Sequence, residues 1–288
     1  AFKICRLIAH QRGIHTPEIV VMEDSFHGRS LAALSATGSR KVQAGYEPLV
    51  GGFIRVPFGD MQAIENLVTS RPNVVAVLLE PIQGESGVRV PHPGYLSQLR
   101  ALCDQNDWLL VLDEIQTGLG RTGRWYDCQH EGVLPDILTT AKALANGVPI
   151  GACLGRGEAA EAFTPGRHGS TFGGNPLACH VACAVLDIME TTHLPEHAAA
   201  LGQTMLEAFR ERLAGNAAIV DIRGRGLMIG IETNQDINHL KGQALERGLL
   251  MNVTRNQVVR LLPPLIIDDE QAAFIVDTVC DLLGTIQA

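Results

Sequence analysis

The chain has 288 residues, of which 46% are hydrophobic and 19% are charged, with a net charge of −8. This composition is typical of a folded globular protein and excludes intrinsic disorder, and the length allows one large domain with a smaller one. The acidic balance argues against a nucleic-acid-binding surface, so no nucleic-acid partner is expected.

The sequence also lacks the usual signals of membrane, metal and disulfide proteins. No apolar run reaches the ~18 residues of a membrane span and nothing at the start resembles a signal peptide, so no membrane partner is expected. The seven cysteines are scattered and include no Cys-x-x-Cys pair. We therefore expect neither a metal site nor a disulfide framework, and we expect a reducing, cytoplasmic setting.

Strand and helix patterns alternate through the first two thirds of the chain, starting with a helical pattern at residues 1–9. That first pattern has no initiator Met and no capping residue, which predicts a fragment lacking its N-terminal part. Strands are then predicted at 18–22, 74–79, 108–112, 135–144 and 150–154, and helices at 61–69, 95–106 and 176–190. This alternation favours an α/β fold, a mostly parallel sheet with helices on both faces.

The last third of the sequence has a different pattern. A helix is predicted up to Leu213, followed by strands at 219–223 and 227–232, a helix ending near Arg247, two strands at 249–253 and 258–262, and a last helix from Asp268. This order predicts a smaller α+β domain. The expected domains are residues 1–192 and residues 193–288.

Polar residues follow the predicted strands of the first domain, where open α/β sheets bind ligands. Lys142 follows one apolar run, and a lysine in an apolar neighbourhood tends to lose its proton and become a nucleophile for an aldehyde. Asp113 ends another run, where a carboxylate could hold a protonated pyridine nitrogen. The pair suggests pyridoxal phosphate chemistry. Two alternatives remain at this point: a solvated surface lysine, and a nucleotide-hydrolase metal site at Asp113 and Glu114, although no Gly-x-x-x-x-Gly-Lys-Ser/Thr loop precedes it.

Four motifs in order resemble the class III (ω-amino-acid) aminotransferases, and the resemblance covers essentially the whole chain. They are Glu80-Pro81-Ile82-Gln83-Gly84-Glu85, Asp113-Glu114-Ile115-Gln116-Thr117-Gly118, Thr140-Ala141-Lys142-Ala143-Leu144 and Gly169-Ser170-Thr171-Phe172-Gly173-Gly174-Asn175-Pro176. The resemblance implies a fold-type I pyridoxal-phosphate transferase that acts as a homodimer. Ser25-Phe26-His27-Gly28-Arg29 and the segment 248–265 look most like the branch that acts on N2-acetylornithine in arginine biosynthesis.

The resemblance also implies residue roles. Lys142 would bind the cofactor covalently and move the substrate proton, Asp113 would pair with the ring nitrogen, and Gln116 would donate to the ring oxygen. Phe26 and Ile115 would pack on the two ring faces. The cofactor-binding residues implied are Phe26, Asp113, Glu114, Ile115, Gln116, Lys142 and Thr171, the last reaching the partner subunit's cofactor phosphate.

Substrate binding needs two carboxylate anchors, because glutamate and 2-oxoglutarate carry a carboxylate at each end. Arg29 would bind the carboxylate far from the reacting amine and Arg260 the near one. Acetylornithine has no near carboxylate, so Glu85 would neutralise Arg260 when it binds. Ser170 would lie near the substrate, with Glu80 and His27 as supporting residues.

One departure from the family pattern concerns the cofactor phosphate. The family's phosphate-binding loop at the start of the first helix would precede Ala1, so the fragment is expected to bind cofactor poorly or not at all. The alternatives are succinylornithine, ornithine or 4-aminobutyrate as the amine, and a non-catalytic protein that kept the fold.

Overall fold

The computed structural model describes residues 1–286, which form two compact units. The first unit comprises residues 1–81, 91–116 and 128–188, and the second comprises 82–90, 117–127 and the described residues from Met189 onward. The two short segments 82–90 and 117–127, which the sequence analysis placed in the larger domain, thus belong to the second unit. The domain boundary between residues 192 and 193 stays a prediction.

The first unit is built on a six-stranded sheet. Its strands are β1 (Glu18–Met22), β2 (Phe53–Val56), β3 (Val74–Leu79), β4 (Leu109–Asp113), β5 (Ile137–Thr140) and β6 (Ala152–Gly155), in the spatial order β2-β1-β3-β4-β5-β6. All neighbours are parallel except β5 and β6. The predicted, mostly parallel sheet is therefore confirmed.

Helices cover both faces of this sheet. The helices along this part of the chain are α1 (Phe2–Gln11), α2 (Leu31–Ala36), α3 (Arg40–Gln43), α4 (Met61–Ser70), α5 (Tyr95–Gln105), α6 (Glu158–Glu161) and α7 (Pro176–Thr191). Ile19 and Val21 of β1 pack in one buried cluster with Ile8 of α1. Met22 points to the opposite face, because side chains alternate along a strand, and its sulfur accepts a hydrogen bond from Tyr95 of α5 at 3.8 Å.

The five parallel strands, β1 to β5, bring their carboxyl ends to one edge of the sheet. β1 and β3 are neighbours although β2 lies between them in the chain, so the chain changes direction across the sheet at this point. Ligands of open α/β sheets bind outside the carboxyl ends of the strands at such a switch point. The residues that follow β1, β3, β4 and β5 are therefore the candidates for a site.

The second unit contains a four-stranded antiparallel sheet and three helices. Its elements are α8 (Leu194–Arg212), β7 (Ile219–Arg225), β8 (Met228–Thr233), α9 (Leu240–Glu246), β9 (Asn252–Thr254), β10 (Val258–Leu261) and α10 (Asp269–Gly284), with strand order β7-β8-β10-β9. Ile231 of β8 packs in the core with Phe209 of α8 and Val279 of α10. On the opposite face, Met228 packs with Val88 of segment 82–90.

The start of α10 shows why its boundary could be read from the sequence. Asp268 accepts a hydrogen bond from the Gln271 amide at 2.8 Å, and the Gln271 side chain accepts from the Asp268 amide at 3.1 Å. This capping box satisfies two amides that the first helical turn leaves unpaired. Across residues 1–286 no single helix is long and apolar enough to cross a membrane, while the bent pair α7 and α8 passes by length and composition.

Candidate active site

A small cavity of about 80 Å³ lies in the first unit, lined by residues that follow four of its parallel strands. The lining residues are Phe26, His27, Gly28, Glu80, Asp113, Ile115, Gln116 and Lys142. All except Gly28 are residues that the sequence analysis selected. The sequence analysis could select these residues because each lies at or just after the carboxyl end of a parallel strand, where such sheets bind ligands.

Asp113 is a buried carboxylate of this cavity. Its Oδ2 lies 2.8 Å from Nδ1 of His27. Its Oδ1 accepts the Ile115 amide at 3.2 Å and the Thr139 hydroxyl at 3.3 Å. Thr139 lies directly opposite Asp113 in the pairing of β4 with β5. These donors stabilise the carboxylate and fix its orientation.

His27 is the second buried ionisable group of the cavity. Its burial lowers its pKa, but the hydrogen bond to Asp113 and the negative charges of Asp113 and Glu80 outweigh burial and leave the pKa raised above 6.5. The raised pKa favours an imidazolium whose Nδ1–H donates to Asp113. Its Nε2 is buried without a hydrogen-bond partner among the described residues. A buried polar atom without a partner is costly, so the cavity favours a polar ligand.

Glu80 organises the segment that follows β1. Its carboxylate accepts the backbone amide of Phe26 at 3.0 Å, while the Ser25 hydroxyl donates to the Met22 carbonyl at 2.8 Å. The guanidinium of Arg29 lies over the Phe26 ring, 5.6 Å from its centroid. Glu80 therefore holds in place the backbone that presents Phe26 and His27.

Lys142 lies in the cavity wall, but its surroundings differ from the prediction. The predicted strand 135–144 is shorter, because β5 ends at Thr140 and Lys142 begins a 3₁₀ turn with a backbone φ of 45°. A positive φ is uncommon for a residue with a side chain, and such conformations are concentrated at functional sites. The residue is exposed in this chain, so its surroundings are less enclosed than the apolar run predicted, and its role stays a prediction.

Four predicted residues of the first unit do not line this cavity. Glu114 is buried, and its carboxylate accepts the Cys128 amide at 2.9 Å, so it holds a loop. Arg29 is exposed. Ser170 and Thr171 lie in an exposed loop, where the Ser170 hydroxyl accepts the Gly173 amide at 3.1 Å. The structure of this one chain therefore supplies no contact for the roles predicted for these residues.

Glu85 and Arg260 form an ion pair within the second unit. Nη1 of Arg260 donates to Oε1 of Glu85 at 2.8 Å. The Arg260 side chain is 9% exposed and the Glu85 side chain 44% exposed. Arg260 Nε is buried and has no hydrogen-bond partner within the described part of the chain. The sequence analysis gave this pairing as what the family resemblance implies, with Glu85 as the residue that neutralises Arg260.

The sequence analysis missed two residues that contact the predicted site residues or the segment that carries one of them. Thr139 contacts Asp113 only because of the strand register, which periodicity does not reveal. Arg223 binds the backbone of segment 82–90 through three hydrogen bonds. Its one sequence signal is a charge in a predicted strand.

Comparisons with known proteins show the family of the chain. Residues 1–283 match the sequence profile of the family described as Aminotransferase class-III. The acetylornithine aminotransferase of Nitrosomonas europaea is 52% identical over 98% of this chain and 72% of its own length. Acetylornithine aminotransferase 1 of Bordetella pertussis is 46% identical over the same shares.

Solved structures give the same family. The ornithine aminotransferase of Toxoplasma gondii has a TM-score of 0.95 at 38% identity, covering 98% of this chain and 69% of that one. The acetylornithine aminotransferase of Elizabethkingia anophelis has a TM-score of 0.85 at 35% identity, covering 99% and 70%. The chain belongs to the class-III aminotransferase family.

Proposed function

We propose that this protein transfers the terminal amino group of N2-acetylornithine to 2-oxoglutarate with pyridoxal phosphate as cofactor. The observation that carries the proposal is the common cavity of Asp113 and Lys142, which contribute a carboxylate and an amine from the ends of β4 and β5. The names of the relatives from Nitrosomonas europaea and Bordetella pertussis support the amine substrate.

The residues of the cavity fit this cofactor. The Asp113 carboxylate, fixed by its donors, suits a protonated ring nitrogen. Phe26 and Ile115 supply apolar surface for the two faces of an aromatic ring, and Gln116 supplies an amide for its oxygen. When bound, pyridoxal phosphate supplies an electron sink for the carbon that loses a proton.

The protein's own contribution would be orientation and proton transfer. Lys142 Nζ, unprotonated, would take the proton from the substrate carbon that bears the amino group and later return it. His27, with its raised pKa, would keep a positive charge beside Asp113 and so hold that carboxylate in place.

Substrate recognition would use two guanidinium groups. Arg29 would bind the carboxylate far from the reacting carbon, and Arg260 would bind the carboxylate of glutamate next to it. N-acetylornithine has no carboxylate there, and the ion pair with Glu85 would neutralise Arg260 during that half-reaction. We propose Ser170 as a substrate contact.

The assembled protein would be a cytoplasmic homodimer. Thr171 would contact the cofactor phosphate of the partner subunit, which agrees with its position in an exposed loop. This proposal is testable by the oligomeric state of the purified protein.

A second candidate activity is the transfer of the terminal amine of free ornithine. Ornithine aminotransferase 1 of Staphylococcus aureus is 44% identical over 88% of this chain, and the Toxoplasma gondii structure carries the same enzyme name. The two amines differ in the acyl group on the far nitrogen, so the discrimination depends on residues around that nitrogen.

Steady-state kinetics with four amines tests the proposal. We expect the highest kcat/KM with N-acetylornithine, ahead of succinylornithine, ornithine and 4-aminobutyrate, and complete loss of activity in Lys142→Ala. Lys241→Ala is the matched control, since Lys241 lies on an exposed position of α9. A preference for free ornithine would select the second candidate. Full activity of Lys142→Ala would refute both.

A further inference from the structure

Segment 82–90, which carries Glu85, contacts three residues in one row of the four-stranded sheet, namely Arg223, Gly230 and Arg260. We propose that Arg223 and Gly230 position Glu85 against Arg260 and thereby set how well the enzyme accepts an amine that lacks a near carboxylate. This inference rests on the proposed function, because it assigns a role to the same ion pair.

The row runs across three neighbouring strands. Arg223 of β7 lies directly opposite Gly230 of β8, and Gly230 lies directly opposite Arg260 of β10. Residues directly opposite one another share a face of the sheet. Two guanidinium groups therefore flank one glycine, on the face that is opposite the helical core.

Gly230 gives the segment room to approach the sheet. A Cβ atom at this position would lie 2.9 Å from Cβ of Val88 and 3.2 Å from the carbonyl oxygen of Gly87. The first separation is closer than packed carbon atoms tolerate. The glycine is therefore a requirement of close packing between β8 and the segment.

The segment itself is a tight turn with Glu85 at its tip. The backbones of Gln83 and Arg89 exchange two hydrogen bonds, at 3.1 and 3.0 Å, and the Gly87 amide donates to the Gly84 carbonyl at 3.2 Å. The position of the Glu85 carboxylate thus follows from the position of this turn.

Arg223 fixes the returning side of the turn. Its Nε donates to the carbonyls of Gly87 and Val88 at 3.1 and 2.9 Å, and its Nη2 donates to Gly87 at 2.7 Å. Its Nη1 binds the carboxylates of Asp221 at 2.8 Å and Glu232 at 2.6 Å, which orient the guanidinium. Buried Val88 has a backbone φ of 53°, and a β-branched residue adopts this conformation only when its surroundings impose it.

This arrangement suits an ion pair that has to open and close. The Glu85 side chain is 44% exposed, so its carboxylate is accessible from solvent while it pairs with Arg260. Because the backbone of segment 82–90 is fixed, the Glu85 carboxylate stays close to Arg260 and can re-form the ion pair readily after glutamate leaves. Lysine cannot replace the arginine, because one ammonium group cannot reach both carbonyls and both carboxylates in a planar fork.

The test is the ratio of two single-turnover half-reactions in the holoenzyme, kcat/KM with N-acetylornithine divided by kcat/KM with glutamate. We expect Arg223→Lys to lower this ratio about tenfold, or ~1.4 kcal/mol, because a weakened pair leaves Arg260 charged and unneutralised. Glu232→Gln, which keeps the guanidinium but loosens its orientation, should lower the ratio in the same direction by less. Arg247→Lys, at an exposed position at the end of α9, is the matched control.

A binding measurement and a double variant separate positioning from a general structural defect. Glutarate, an unreactive dicarboxylate, should bind more tightly to Arg223→Lys by calorimetry, because Arg260 is freer to bind it. In a Glu85→Gln background, Arg223→Lys should leave the ratio unchanged.

The outcomes are distinguishable. An equal loss in both half-reactions, or an effect of Arg223→Lys that persists in Glu85→Gln, overturns the positioning role. If Arg223→Lys does not fold, Glu232→Gln carries the same test. If Glu85→Gln itself leaves the ratio unchanged, the ion-pair switch in the proposed function is overturned instead.

Discussion

The buried pair of His27 and Asp113 gives a stability prediction with a defined sign. Nδ1 of His27 lies 2.8 Å from the Asp113 carboxylate, and the two side chains are only 2% and 8% exposed. His27→Leu removes this partner and leaves the carboxylate with two longer contacts, from the Ile115 amide at 3.2 Å and the Thr139 hydroxyl at 3.3 Å. Breaking a buried pair by removing one partner costs about 3–5 kcal/mol, and we expect a value near the lower end because those two contacts remain.

The same pair predicts how stability depends on pH. The pKa of His27 is raised in the folded state. The charged His27 therefore contributes its full stabilisation of the fold below the unfolded-state pKa of about 6.5. This stabilisation is lost as the pH rises through the folded-state pKa. Wild-type protein should therefore lose stability above about pH 6.5 relative to His27→Leu. His27→Gln, which keeps a donor without a titratable charge, should recover part of the stability and none of the pH dependence.

Thermal and urea unfolding of the cofactor-free protein at about pH 6 and about pH 8.5 measures both effects. At about 2–4 °C per kcal/mol, His27→Leu should lower the Tm by roughly 6–10 °C at the lower pH, and by less at the higher pH. His10→Gln, at an exposed position of α1, is the control and should change neither value. The reasoning is refuted if His27→Leu costs less than about 1 kcal/mol, or if it keeps the pH dependence of the wild type.

Two further predictions concern the second unit. Arg260→Ala should reduce kcat/KM in the glutamate half-reaction about tenfold or more beyond any loss with N-acetylornithine. The reason is that the substitution removes a bidentate contact with the carboxylate of glutamate, which N-acetylornithine does not make. Equal losses in the two half-reactions, measured by stopped-flow single turnovers, would contradict this. Gly202→Ala in α8 should lower the Tm strongly, because its Cβ would lie 2.1 Å from the backbone oxygen of Gly226. Gly242→Ala in α9 meets no atom within 4 Å and should be neutral or stabilising by up to ~1 kcal/mol, so similar effects of the two substitutions would contradict the packing argument.

The order of elements was predictable because their patterns are strong. Continuous apolar runs predicted β3 and β4, which are buried on both faces of a parallel sheet. The last helix was predicted from Asp268, which is the residue that caps α10. Strand β2 was missed, because Phe53–Val56 is four residues long and includes Arg55, so no period could be counted.

The site was predictable to the extent that a parallel sheet determines it. Asp113 and Lys142 follow neighbouring parallel strands, and this alone brings them to one edge. The position of a residue after a strand does not by itself predict the direction in which its side chain points. Glu114 follows Asp113 directly, yet it binds the Cys128 amide, since consecutive side chains at a strand end point to opposite sides.

Exposure and register were the properties that the sequence did not reveal. The apolar run before Lys142 describes the buried strand β5, and burial ends where the chain turns at Ala141. Arg223 could not be assigned, because its contact with Gly87 depends on the register of β7 against β8 and on a segment far away in the chain.

Reductive trapping of the cofactor is the most direct test of the central claim. Borohydride treatment of the holoenzyme followed by peptide mass mapping should place a pyridoxyl-phosphate adduct on Lys142 and on none of the other lysines, which are Lys3, Lys41 and Lys241. Asp113→Asn should weaken cofactor binding in the same preparation, because a neutral amide cannot pair with a protonated ring nitrogen. An adduct on a different lysine, or no adduct in protein that carries transaminase activity, would contradict the assignment of Lys142.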